Sequence, residues 1–127
     1  MQNLQKNDPA TIFIDPEVAS IGLTEKEAKE EFGNNKIAVA FKLISKTNKG
    51  ICEGNKEGFI KIVYKKRGYK ILGAIIALPV AGELIAEIAV AMKTGLSFYM
   101  LAAFMHTYPS HSFAVQSMAA VFEKACL

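Results

Sequence analysis

A chain of 127 residues has room for one domain with a real core, and not for two. Its 51% hydrophobic content excludes a disordered or low-complexity chain and is high for a monomer of this size. Fifteen Lys plus Arg against twelve Asp plus Glu leave a formal +3, too small a surplus for a nucleic-acid binder.

Cys52 and Cys126 lie far apart, with neither C-x-x-C nor metal-finger spacing. Two free thiols in a reducing cytoplasm are therefore expected, with no disulfide scaffold and no metal site. The polar start, Met1 to Ala10, lacks the apolar core of a signal peptide. The longest apolar run, Ile71 to Gly82, contains Pro79 and stops at Glu83, short of the roughly 20 residues a bilayer needs. A soluble protein without a membrane partner is expected.

In chain order, residues 1–10 read as a leader and 11–127 as a single domain. Thr11 to Ile14 is a short apolar stretch closed by Asp15-Pro16, a turn opener. Val18 to Leu23 reads as a strand. Thr24-Glu25-Lys26-Glu27 is a capping box opening a helix through Phe32, and Gly33 stops it. Ile37, Val39, Phe41 and Leu43 alternate with Ala38, Ala40 and Lys42, as in a half-buried strand. Residues 45–56 are polar and predict a loop with room for one helical turn. Phe59 to Tyr64 predicts another strand, and Lys65-Lys66-Arg67-Gly68 a hairpin tip, either solvated or anion-binding. Ile71 to Leu78 shows no alternation, the mark of a central strand covered on both faces.

Beyond Pro79, Val80 to Thr94 predicts the strongest helix, closed by Lys93 and Gly95. It is apolar around most of its circumference, so one sheet cannot cover it and a partner subunit is the natural second cover. Ser97 can cap a short helix through Ala103. A final helix is expected from Phe113 to Ala125, again largely apolar. Strands first and helices last predict an α+β domain: an antiparallel sheet of four to five strands with helices packed on one face.

The catalytic inventory is thin: no GxGxxG, P-loop, HExxH or GxSxG occurs. The concentrated polar spot is His106, Tyr108, Ser110, His111 and Ser112 around Pro109. Two histidines five apart with hydroxyls nearby can make an acid/base site. A helix N-terminus rich in capping residues, with histidines that merely pack, gives the same sequence.

The segment Asp15-Pro16-Glu17-Val18-Ala19-Ser20-Ile21-Gly22-Leu23-Thr24-Glu25 resembles the signature D-P-E-[VI]-A-x-[VI]-G-L-T-E. That signature opens the C-terminal dimerisation domain of pyridine nucleotide-disulfide oxidoreductases, the family of dihydrolipoamide dehydrogenase, glutathione reductase and mercuric reductase. The similarity continues through Gly58-Phe59-Ile60-Lys61, Ile71-Leu72-Gly73-Ala74, Ala81-Gly82-Glu83-Leu84-Ile85 and Tyr108-Pro109-Ser110, covering about residues 11–125. The resemblance implies a homodimer. It implies a parent chain whose preceding domains bind FAD and NAD(P) and carry a redox cysteine pair. Neither Cys52 nor Cys126 matches that pair, so an excised domain is expected, binding neither cofactor and inactive alone.

The family's catalytic segment is H-P-T-x-x-E, in which the His, held by the Glu, exchanges a proton with thiols of the other subunit. Aligned on Pro109, Tyr108 stands at the base position, Ser110 at the Thr position and Phe113 at the Glu position. Mercuric reductase-like relatives carry Tyr at the base position, but they end in a vicinal cysteine pair where this chain has Cys126 alone. The resemblance thus implies Tyr108 as the catalytic candidate, with His106 and His111 as rivals, and Pro109 and Ser110 beside the flavin. The alternative function is a free-standing dimeric interaction module of the same fold, without catalysis.

Overall fold

A computed structural model describes residues 8–54, 57–103, 106–108 and 110–120. Readings made for Pro109, for Cys126 and for the final helix beyond Ala120 lie outside the described residues.

Five strands form one sheet: β1 (Ala10–Ile12), β2 (Val18–Gly22), β3 (Ile37–Leu43), β4 (Phe59–Lys65) and β5 (Ile71–Ala77). Their order is β1-β2-β5-β4-β3, and every neighbouring pair is antiparallel. The non-alternating segment is the middle strand, buried at every position of β5 except Ile75. The first strand begins at Ala10, one residue inside the expected leader.

Two glycines set how closely β2 meets β5. Gly22 and Gly73 stand opposite each other, and Gly22 has φ +70°. A Cβ on Gly73 would lie 2.0 Å from the Leu23 carbonyl oxygen, and one on Gly22 would lie 2.2 Å from that of Leu72. Only glycine permits this approach.

Helix α1 (Glu25–Phe32) opens on both bonds of its capping box: Thr24 Oγ1 accepts from Glu27 N–H at 3.1 Å, and Glu27 Oε1 accepts from Thr24 N–H at 3.2 Å. Its buried residue, Ala28, clusters with Ile37, Val63 and Leu72. Val39 joins that cluster, whereas its neighbours Ala38 and Ala40 pack against the main core. Alternation therefore puts α1 on the opposite face of the sheet from the other helices.

The polar stretch read as a loop with room for one helical turn holds a six-residue helix, α2 (Asn48–Glu53). Thr47 is its cap: Oγ1 accepts from Gly50 N–H at 3.0 Å and donates to the Ile44 carbonyl at 2.7 Å, and Gly54 ends it at φ +69°. Helix α3 (Ala81–Thr94) buries Leu84, Ile85 and Ile88 against the sheet. A 3-10 helix, Phe98–Ala103, places Phe98 fully inside, its ring 5.3 Å from that of Tyr64. Helix α4 (His111–Ala119) starts two residues before the expected Phe113, because Ser110 is an effective cap. Among the described residues, no helix is long and apolar enough to cross a membrane.

Candidate functional site

The polar cluster read from the sequence gathers at the N-terminus of α4, where α2 and the first half of α3 also converge. Ser110 Oγ accepts from Phe113 N–H at 3.1 Å, donates to the Thr107 carbonyl, and lies 3.0 Å from Ser112 Oγ. Its hydroxyl is thus committed to capping the helix and tightening the turn that carries Tyr108.

Tyr108 is 62% exposed. Its ring meets Phe113 edge-on, with centroids 5.0 Å apart and planes at 79°. The two residues aligned with the family's His and Glu therefore touch, as an aromatic pair without a hydrogen bond between side chains.

The two histidines are each drawn to a different carboxylate. The His106 ring sits between Glu87 Oε1 at Nε2 and Gln116 Oε1 at Nδ1, the latter at 2.9 Å. His111, 7% exposed, places Nε2 at 3.1 Å from Glu53 Oε2, while its Nδ1 is buried without a hydrogen-bond partner. Glu53 is held below the ordinary carboxylate range, first by a hydrogen bond from Lys49 and then by His111, against a desolvation that acts the other way. Glu53, Glu87 and Gln116 are residues that sequence reasoning missed. They lie on α2, α3 and α4, and Glu53 and Glu87 are 58 and 19 residues from the histidines they bind, so no local motif could mark them.

A cleft of about 530 Å³ opens beside this cluster, with Val80 and Leu84 as apolar lining and Ser110, His111 and Ser112 at one side. Its ionisable groups are Glu53, Glu83 and Glu87 against Lys49, besides His111. An excess of carboxylates suits a cationic or hydrogen-bond-donating group and repels a diphosphate, so these residues do not fit the phosphates of a dinucleotide. Tyr108 is not among the lining residues. A larger cleft of about 620 Å³ lies between α1 and the sheet, and there Glu25 is paired with Lys29 and Lys61 at 3.1 and 3.2 Å. Among the described residues, no group of three or more His, Cys, Asp or Glu is placed to hold a metal ion. Cys52 is exposed on α2 as a free thiol.

Comparison with known proteins agrees with this architecture. The sequence model of a family described as "Pyridine nucleotide-disulphide oxidoreductase, dimerisation domain" matches residues 8–119. Leghemoglobin reductase of Glycine max is 38% identical over 117 residues, which is 91% of this chain and 22% of that protein. Dihydrolipoyl dehydrogenase 3 of Haloarcula marismortui is 34% identical over 111 residues, 87% of this chain and 23% of that protein. The chain thus spans less than a quarter of these relatives. Among solved structures, the Cu(II) complex of the HOCl-induced flavoprotein disulfide reductase RclA from Escherichia coli superposes with a TM-score of 0.83 at 23% identity, over 91% of this chain and 26% of that one. LpdA from Mycobacterium tuberculosis superposes with a TM-score of 0.82 at 24% identity, over 92% and 25%. At those identities the structural likeness speaks for the fold, and the sequence matches speak for the family. With the family model matched over residues 8–119 and relatives 34% and 38% identical beside it, the chain belongs to the dimerisation-domain family of the pyridine nucleotide-disulfide oxidoreductases.

Proposed function

We propose that this chain is the pairing module of an FAD-dependent pyridine nucleotide-disulfide oxidoreductase, that it forms a homodimer, and that it lends the Tyr108-Pro109-Ser110 segment to the flavin and thiol site of the partner subunit. The observation that carries the reading is Tyr108 itself. A 62% exposed phenol, braced on Phe113 and outside its own chain's cleft, is set to meet a group that another domain or subunit supplies.

Uncovered apolar surface supports the pairing. Val90 on α3 is 59% exposed, Phe41 on β3 56% and Ile51 on α2 65%. A specific dimer buries on the order of 1,200 Å² or more, and in this reading exposed side chains such as these contribute part of it. FAD and NAD(P) belong, in this reading, to preceding domains of the parent, and a cytoplasmic setting suits the exposed thiol of Cys52. Flavin, when bound there, supplies the two-electron exchange with the thiol pair. A phenol donates a hydrogen bond at neutral pH and accepts a proton poorly. Tyr108 would therefore stabilise a developing thiolate or a bound acceptor atom, and Ser110 would hold the turn that aims it.

The test is turnover of the full-length parent in three variants. Tyr108→Phe removes only the hydroxyl and should lower turnover on the order of ten- to a thousandfold. Unchanged turnover there, with loss in His106→Ala or His111→Ala, would move the role to that histidine. Pairing is read by light scattering of the 127-residue chain: a dimer is expected at micromolar concentration, and a monomer would remove that part of the reading.

A further inference from the structure

His106 stands two residues before Tyr108, with its side chain only 8% exposed. Both ring nitrogens face oxygens. Gln116 donates from Nε2 to the Ala102 carbonyl at 3.3 Å, which turns its amide so that Oε1, and not the nitrogen, faces His106 Nδ1 at 2.9 Å. Nε2 faces the Glu87 carboxylate. An imidazole with an amide oxygen on one side and a carboxylate on the other satisfies both when each nitrogen carries a proton. A general base needs a ring nitrogen free to take a proton from a reacting group, and this arrangement engages both.

We propose that Glu87, His106 and Gln116 form an ionic clamp that fixes the backbone entering Tyr108 between α3 and α4, which makes Glu87 and Gln116 positioning residues for Tyr108. The clamp holds one end of the short segment at His106. Ser110 holds the other end through the Thr107 carbonyl and the Phe113 N–H. Tyr108 lies between these two anchors, so its exposure coexists with a fixed direction. The assignment also separates the histidines: His106 is a clamp, whereas His111 ties α4 to α2 through Glu53. That the clamp serves catalysis rests on the reading of Tyr108 above; that it exists does not.

Nuclear magnetic resonance on the 127-residue chain, with histidine, tyrosine, isoleucine and phenylalanine labelled, tests it directly. At pH 7.5 an ordinary histidine, titrating near 6.5, is about nine-tenths neutral. His106 is expected to show both nitrogens protonated at that pH. Glu87→Gln should return the ring to the neutral form and shift the Tyr108 resonances, leaving those of the core residues Ile76 and Phe98 in place. Gln116→Leu should shift Tyr108 as well, and it carries the test if Glu87→Gln fails to fold. Glu30→Gln, on α1, is the control and should move neither. A neutral His106 in the unmodified chain, or Tyr108 resonances unmoved in the folded variants, would overturn the clamp. Full turnover of Tyr108→Phe in the parent would remove the catalytic reading and leave the clamp standing.

Discussion

Glu17 offers the most informative single deletion. Helix α3 opens on Val80, which has no side-chain oxygen to offer its first amides. The acceptor arrives from 65 residues away: Glu17 Oε2 takes the Gly82 N–H at 3.2 Å, while its carbonyl takes the Leu78 N–H at 3.0 Å. Capping side chains contribute about 0.5–2 kcal/mol, and a carboxylate at the positive end of a helix adds about 0.3–1 kcal/mol. Glu17 is half-buried, so solvent screens part of this. Glu17→Ala should cost about 1.5 kcal/mol, and Glu17→Gln, which keeps an acceptor oxygen, about 0.5 kcal/mol. A chain of 127 residues gains ~0.27 kcal/mol/K of entropy on unfolding, so the alanine variant should melt about 5–6 °C lower. Urea unfolding at one fixed protein concentration reads the same quantity as a lower midpoint at unchanged slope. An alanine variant within about 0.3 kcal/mol of the unmodified chain, below the usual capping range, would refute the cap. So would a glutamine variant as unstable as the alanine one.

Gly73→Ala should cost on the order of 3 kcal/mol, since its Cβ would meet the Leu23 backbone oxygen at 2.0 Å and nitrogen at 2.7 Å, which cannot yield as a side chain can. Gly68→Ala, at φ +82° with open space around it, should cost only about 1 kcal/mol, and urea midpoints distinguish the two. Hydrogen bonds from Lys29 first and Lys61 second hold the Glu25 carboxyl below its ordinary range. A lowered folded value stabilises above the unfolded value, near 4.3, and that contribution is lost as pH falls through the folded value. Urea midpoints of Glu25→Gln should therefore fall less steeply than those of the unmodified chain as the pH is taken below about 5; the difference should be small because Glu25 is 32% exposed.

What the sequence made legible follows from how local each cause is. The capping box at Thr24 and the unbroken apolar run of β5 are complete within a few residues, and both stand where the pattern put them. Helix α2 was hidden because its sequence, NKGICE, is short and polar with a glycine inside; its markers are the two ends, Thr47 and Gly54, and not its periodicity. The start of α4 shifted for the same reason: Ser110 caps it, two residues ahead of the start expected at Phe113. At the site, Tyr108, His106 and His111 could be named from sequence, but their partners could not. Glu87 belongs to a helix docked by the core beneath it, and Glu53 reaches His111 from 58 residues away.

The motifs that carry the family resemblance turn out to be joints of the scaffold. Glu17 of the first motif bonds to Gly82 of the fourth, and Gly22 of the first stands opposite Gly73 of the third. Their spacing serves contacts that hold the scaffold together, one through the Glu17 carboxylate and one between facing glycine backbones, and it says little about chemistry. In the function proposed above the chemistry falls to Tyr108, and Phe113 bears on it because their rings touch. A histidine at 108 beside Phe113 would have no acceptor there to fix its tautomer, and a glutamate at 113 beside Tyr108 would hold the phenol in a local hydrogen bond. With phenylalanine there, the exposed ring of Tyr108 meets an edge contact in place of a side-chain acceptor. Under the proposed function, Tyr108 and Phe113 stand in for a hydrogen-bonded dyad, and the task at this position becomes donating a hydrogen bond in place of accepting a proton.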